Sequence, residues 1–372
     1  MPQAAEPKNK LTTGQPYLNL GLNDGTYMPE ACIEVLRRLS HRTGLRHYTT
    51  PGNNKLRDVI SRVDGVTPDH IFLHNGSGPI LKAVIPAVIK DRVMARPYRI
   101  ALHLLQKSGY PIITTAPTYG KVTAKAMAMG LGVELVPLRP ENNFTLDPED
   151  LAKVIARRAG LVYIGNPNNP TGNLMLKRED VAALADRFPE STFWVDEAYV
   201  QYAPPDPHPS VSDLVPKMPN LCVSRTFSFA YGLAGVRIGY LLANPDLVRS
   251  HEDKLTDYRL GILQEQIAVA ALEDTAHLPF IREASAEGRA QLEAGLSRYP
   301  IQVFPSVANF ILCRFTDGRP AAPLIAGLEE RGIHIKSIEP MGPHRFDAYF
   351  RITLGLPHEH ERLLASVAEI LG

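Results

Sequence analysis

Arg237, Thr226 and Ser228 share one short stretch, SRTFSFAYGLAGVRIGY (224–240). Two hydroxyls beside a planar guanidinium offer a phosphate monoester converging donors and a fork that matches two of its oxygens. Taken alone, the stretch also reads as an ordinary glycine-containing turn. A second anion site can form in HNGSGPIL (74–81). There the backbone amides of Ser77 and Gly78 would open a helix and add its dipole to their unpaired N–H groups. A plain turn again explains that motif by itself. Asp196, in WVDEAYVQY, ends an apolar run, and strand alternation brings Tyr199 into the same cleft. A buried carboxylate requires a partner. A protonated pyridine nitrogen is one such partner; a helix cap or a core ion pair is another. Asn169, in GNPNNPTGN (165–173), can aim its amide at the phenolic oxygen of an aromatic ligand, with Pro170 fixing the turn. Four pieces able to hold a phosphorylated aromatic ligand thus occur in one chain, each with a plain turn, cap or core ion-pair reading beside it.

Each piece falls at the end of a predicted strand. The apolar runs HIFLHN, YPIITTAP, VELVPL, LVYIGN, TFWVDEA, LCVSRTF and IGYLLAN alternate with helical patterns such as DPEDLAKVIARRA and KREDVAALADRF. This alternation predicts an α/β architecture, a mostly parallel seven-stranded sheet covered by helices in three α/β/α layers. Ligands of such sheets gather at the carboxyl ends of the strands. After about Asn244 the pattern changes to one long amphipathic stretch through 245–299. IQVFPSVANFILCRF, a helix near PLIAGLEERG, the strand YFRITLG and a last helix follow. We expect three parts: an arm over 1–30, a large domain over 31–250, and a smaller α+β domain over 251–372. The first helix, near 30–39, is able to join the small domain. Pro86 and Pro97 should each interrupt or kink a helix in the 80–110 segment, giving two helices or a helix and a loop.

Composition narrows the function classes. The 372 residues are 44% hydrophobic and 21% charged, with a formal net charge of +1, so no basic excess points to nucleic acid or an anionic membrane. No apolar run reaches the roughly 18–20 residues of a membrane span, and MPQAAEPKNKLTTGQP lacks the apolar core of a secretory signal. Cys32, Cys222 and Cys313 lack metal-ligand spacing and read as buried thiols of a reducing compartment. The 12 histidines form no ligand set, and HEH (358–360) reads as the solvated first turn of the last helix. A cytoplasmic enzyme without a metal is the expectation.

The whole chain resembles the fold-type I pyridoxal-phosphate enzymes, in particular the histidinol-phosphate-aminotransferase-like branch of the class I/II aminotransferases. NDGTYMP, HYTTPGNNKLR, APTYG, NPNNPTG, VDEAY, SRTFSFAYGLAGVRIGY, SVANFILCRF and FRITLG occur in the family's order. The resemblance implies that Asp196 pairs with the pyridine nitrogen, that Tyr199 and Asn169 bond the ring's 3-oxygen, and that Tyr119 stacks on the ring. It gives the phosphate to Ser77, Gly78, Thr226, Ser228 and Arg237, with Tyr48 reaching the site of a second copy in a homodimer. It gives the substrate's α-carboxylate to Arg351, its far end to Lys336, and closure over the substrate to the arm around Asn23.

One position departs from the pattern. Where the family carries its Schiff-base lysine this chain has Phe229, which has neither a proton nor a lone pair to give. General acid–base assistance is worth ~10²–10⁴ in rate, so ordinary transamination should be crippled. The ring-holding residues do not depend on that lysine, so pyridoxal or pyridoxamine phosphate is expected to bind noncovalently or as an adduct with the substrate amine. Three readings stay open. The chain is a lysine-less enzyme with a specialised reaction, for which decarboxylation is attractive because it removes no α-proton. Alternatively it is an ordinary aminotransferase carrying an engineered or incidental change, or a noncatalytic or cofactor-free binding protein on the same fold. Lys82 and Lys121 are the substitute amines to consider, although both read more simply as solvated helix residues.

Overall fold

A computed structural model describes residues 17–41, 45–49, 51–95, 109–252, 260–341 and 345–372. All seven apolar runs are strands: β2 (Ile71–His74), β3 (Ile112–Ala116), β4 (Val133–Pro137), β5 (Leu161–Gly165), β6 (Thr192–Asp196), β7 (Leu221–Thr226) and β8 (Gly239–Leu242). They form one sheet in the order β2-β8-β7-β6-β5-β3-β4. The strands from β7 to β4 pair in parallel, and β8 runs antiparallel to both of its neighbours.

Alternation along these strands builds two cores. Ile113, Val162, Ile164, Phe193, Val195 and Val223 face one side, with Leu151 and Ile155 of the helix Pro148–Arg157 and Val181 and Leu184 of the helix Arg178–Arg187. Ile112, Leu161, Tyr163, Trp194, Cys222 and Leu241 face the other, against the helix Ser77–Met94. The three-layer arrangement follows from strands buried on both faces.

The helix Ser77–Met94 continues through Pro86, so this proline does not divide it. An interior proline costs about 3 kcal/mol. This helix buries Ile80, Leu81, Val84, Ile85, Val88, Ile89 and Val93, and each such side chain is worth roughly 1.5–3 kcal/mol, so packing outweighs the lost bond. Pro97 lies outside the described residues.

The second sheet has the order β1-β11-β12-β10-β9, from β1 (Leu18–Leu20), β9 (Ile301–Val303), β10 (Phe310–Phe315), β11 (Ile333–Ser337) and β12 (Tyr349–Thr353). Within the segment expected to be an arm, Leu18–Leu20 thus forms an edge strand, with Leu18 paired in parallel to Ile333. The amphipathic stretch expected over 245–299 is divided into the helices Pro245–Glu252, Ile262–Glu273 and His277–Leu296. The second of these packs on the helices Glu30–Leu39 and Asn54–Asp64, and its Ile267, Ala268 and Val269 share a core with the large sheet. His360 is buried rather than solvated. Its Nε2 accepts the N–H of Gly355 at 2.8 Å, and its Nδ1 faces Gln291 Oε1 at 2.9 Å. The three cysteines are buried, and no helix among the described residues is long and apolar enough to cross a membrane.

Candidate active site

Register sets the site. Gly165, Asp196 and Ser224 are neighbours across β5, β6 and β7, so the segments that follow these strands open together at their carboxyl ends. His74 at the end of β2 pairs with Gly239, which brings the start of the helix Ser77–Met94 beside the Arg237 turn. A cavity of about 1060 Å³ lies over these ends. Six cationic side chains line it, among them Arg237, Arg351 and Lys336, against two carboxylates, Asp24 and Glu339. Its field therefore favours an anionic ligand.

At one end, Ser77 and Gly78 begin a helix whose first N–H groups have no intrahelical partner. Gly76 precedes them at φ 95°, and a Cβ there would stand 2.6 Å from Arg237 Nη2. The glycine thus lets the guanidinium lie against the turn. Thr226 Oγ1 donates to Ser228 Oγ at 2.9 Å and accepts the N–H of Ser228 at 3.1 Å. These five predicted phosphate ligands line one cavity.

Asp196 lies beside it, 8% exposed. Trp194 Nε1 donates to Ser224 Oγ at 2.9 Å, so the serine proton goes to Asp196 Oδ1 at 3.0 Å. Tyr163 donates to Oδ2 at 2.7 Å. Burial pushes the carboxyl above its ordinary range, opposed by these two bonds. No cationic side chain pairs with it among the described residues, whereas the adjacent Glu197 is neutralised by Arg225, which also reaches Asp64.

Tyr199 accepts from Asn23 Nδ2 at 2.9 Å and from Asn169 Nδ2 at 3.2 Å. Burial raises its phenol to about 12. Asn169 Oδ1 in turn accepts from Arg351 Nη1 at 2.6 Å, and Arg351 Nη2 donates to the carbonyl of Gly21 at 2.6 Å. Arg351 Nε is buried without a partner, and the guanidinium lies 5.1 Å from the Phe310 ring. Tyr119 lines the cavity wall, with Lys121 Nζ 6.0 Å from its ring.

Phe229 also lines this cavity, stacked on Tyr199 at 4.6 Å between centroids and 11° between planes. The arm presses on it from outside: a Cβ at Gly25 would overlap the carbonyl oxygen of Phe229. Asn23, expected to close over a substrate, is 1% exposed and bonded into the wall. Lys82 and Lys121 line the cavity while remaining exposed. Tyr48 is 83% exposed on this chain and does not line the cavity.

Several contributors escaped the sequence reading. Tyr163 was visible as the one polar side chain in LVYIG, but its partner depended on register. Thr353 and Phe310 belong to strands far away in sequence, and Asn309 to the bend just before one of them, so their approach to the site is set by the small sheet.

Known proteins resemble this chain over most of its length. The chain is 33% identical over 318 residues to a histidinol-phosphate aminotransferase of Anaeromyxobacter sp. (strain Fw109-5), covering 85% of this chain and 81% of that protein. It is 31% identical over 346 residues to the histidinol-phosphate aminotransferase of Bacillus subtilis (strain 168), covering 92% and 89%. The histidinol-phosphate aminotransferase of Sinorhizobium meliloti, solved in complex with pyridoxal-5'-phosphate, superimposes with a TM-score of 0.78 at 26% identity, over 96% of this chain and 91% of that one. Since residues 15–367, which include both sheets and the cavity between them, match the family described as Aminotransferase class I and II, the chain belongs to the class I and II aminotransferases, pyridoxal-phosphate-dependent enzymes of fold-type I.

Proposed function

We propose that this chain binds pyridoxal or pyridoxamine phosphate without a covalent tether, or as an adduct with its substrate, and acts on an amino acid or amino phosphate as a homodimer. The reading is carried by Phe229: an aromatic ring, stacked on Tyr199, faces the cavity where the family resemblance puts the Schiff-base lysine. The remaining residues fit the group. Asp196 is a buried carboxylate in want of a cation, which a protonated ring nitrogen supplies. Ser77, Gly78, Thr226, Ser228 and Arg237 offer a phosphate both backbone and side-chain donors. Tyr48, exposed on its own chain, would serve the phosphate of a second copy.

Bound there, the group supplies an electron sink for a bond broken at the substrate's α-carbon. Arg351 would hold an α-carboxylate, its unpartnered Nε being a donor that no protein atom uses. Tyr199, with its phenol near 12, stays protonated at neutral pH and serves as a donor rather than a base. Phe229 moves no proton. The step that asks least of such a site is loss of the α-carboxylate, which needs no base at the α-carbon. Transamination of a histidinol-phosphate-like substrate is the competing reading, favoured by the curated relatives.

Titration of the purified protein with pyridoxal phosphate and pyridoxamine phosphate tests the proposal. Saturable uptake in the micromolar range, reversed by dialysis and leaving no pyridoxyl peptide after borohydride, is expected. Absence of uptake, or a pyridoxyl group on Lys82 or Lys121, overturns it.

A further inference from the structure

The hydroxyl of Tyr199 takes two amide donors, and both amides are oriented by one strand. Arg351 on β12 donates to Asn169 Oδ1; because arginine has no acceptor, the Nδ2 end of Asn169 must face Tyr199. Two residues along the same strand, Thr353 does the equivalent for Asn23. Its Oγ1 accepts the backbone N–H of Asn23 at 3.1 Å and donates its own proton to Asn23 Oδ1 at 2.9 Å. Reversing the Asn23 amide would give Thr353 two donors and strand its proton, with the side chain 2% exposed. Asn309 Nδ2 fixes the same residue from the other side, on the Asn23 carbonyl at 3.0 Å.

The oxygen of Tyr199 therefore accepts twice, and no described residue accepts its proton. The ring is held by Phe229 on its face and by Phe310, edge-on at 5.0 Å and 84°. The proton is left for the cavity that Tyr199 lines.

We propose that Thr353 and Asn23 are a positioning pair which, alongside Arg351 and Asn169, commits Tyr199 as a hydrogen-bond donor to an acceptor oxygen on the bound ring. The identity of that ring rests on the reading above. Thr353 does not line the cavity and acts only through Asn23. In Thr353→Val the Asn23 amide is free to turn, and Tyr199 can give its proton to Asn23 Oδ1 instead of the ligand.

The test is a double-mutant cycle of Thr353→Val and Tyr199→Phe, read by pyridoxal phosphate affinity. Each single change is expected to weaken binding about tenfold, Thr353→Ser to stay within about twofold of the parent, and the double variant to bind no worse than Tyr199→Phe alone. Losses that multiply to about a hundredfold, or intact affinity in Thr353→Val, overturn the proposal. Asn23→Asp, whose carboxylate would accept the Tyr199 proton, is the second variant and should lose at least as much. The same cycle read by thermal melting of the ligand-free protein separates this proposal from the cofactor reading. Melting shifts that are simply additive overturn the lock. A coupled melt in a protein that takes up no pyridoxal phosphate upholds the lock and sinks the cofactor reading instead.

Discussion

Replacing Phe229 by lysine is the sharpest perturbation this site allows, because the backbone there is held independently of the side chain. Gly232 N–H donates to the Phe229 carbonyl at 3.0 Å, and Gly25 packs against the same oxygen. The substitution removes the stack on Tyr199 at 4.6 Å, and such pairs contribute about 0.5–1.5 kcal/mol beyond their buried area. The lysine stem covers part of the surface the ring leaves, and the ring is only half-buried. A net loss of about 1–3 kcal/mol is therefore expected, well inside the ~5–15 kcal/mol of a folded domain. Arg237 and Arg351 line the same cavity, and like charges lower an amine's pKa, which favours the nucleophilic form. F229K should consequently melt slightly lower, yet carry a borohydride-reducible pyridoxyl group at position 229 and interconvert pyridoxal and pyridoxamine forms ~10²–10⁴ faster than the parent. Peptide mapping and single-turnover absorbance measure these two gains separately. A folded F229K that forms no adduct at position 229 would refute the placement of this side chain beside the reactive carbon.

Asp196→Asn should leave the ligand-free protein within about 1 kcal/mol of the parent, since it removes a buried charge that lacks a cationic partner. It should weaken pyridoxal phosphate about 10–100-fold in titration, because the ring nitrogen loses its counter-charge. Arg351→Gln should weaken amino acids at least tenfold while leaving the corresponding decarboxylated amines within about threefold, as competition titrations would read. A change of equal size for both classes counts against the carboxylate role. His360 sets a pH dependence: burial lowers its pKa from the usual 6.5, and its Nε2 accepts a backbone N–H that a proton would displace. The unfolded chain binds that proton below about 6.5 and the folded chain only at lower pH, so stability is lost as pH falls through this window. Melts between pH 8 and 5 should show the loss, and His360→Gln should flatten it.

Much of the large sheet was legible because its strands are buried on both faces and read as continuous apolar runs ending in Gly, Asp or Pro. The same property placed Asp196, Asn169 and Thr226 at strand ends before any register was known, and the register then made those strands neighbours. The small sheet was harder. IHIKS (333–337) is half-exposed, and its β11 identity depends on β1 and β12 pairing on either side. Pro86 does not divide its helix because a local rule about backbone donors was outweighed by seven buried side chains on one helix. His360 misled because nothing local announces that Gly355 and Gln291 close over it. Motif order located the cavity's residues, whereas the orientation of its two amides was decided by β12 across gaps of 330 and 182 residues.

A phenyl ring at position 229 changes what the rest of the site must accomplish. A lysine there would both fasten the ring and displace the product amine from it. On the proposed reading neither service is available, and uptake would rely on Arg237, the hydroxyls of Thr226 and Ser228, the helix start at Ser77, and Asp196. Release would then depend on water, or on the ring and product leaving together. Phenylalanine is still a specific choice for this place. A small residue would leave a gap beside Tyr199, and a polar one would need a partner, whereas the stacked ring keeps Tyr199 rigid and adds no competing donor or acceptor. Specificity for a ring held in this way would pass from a covalent bond to these contacts, the orientation of the Tyr199 proton among them. In such a site, rigidity around Tyr199 is therefore part of the chemistry rather than only of the packing.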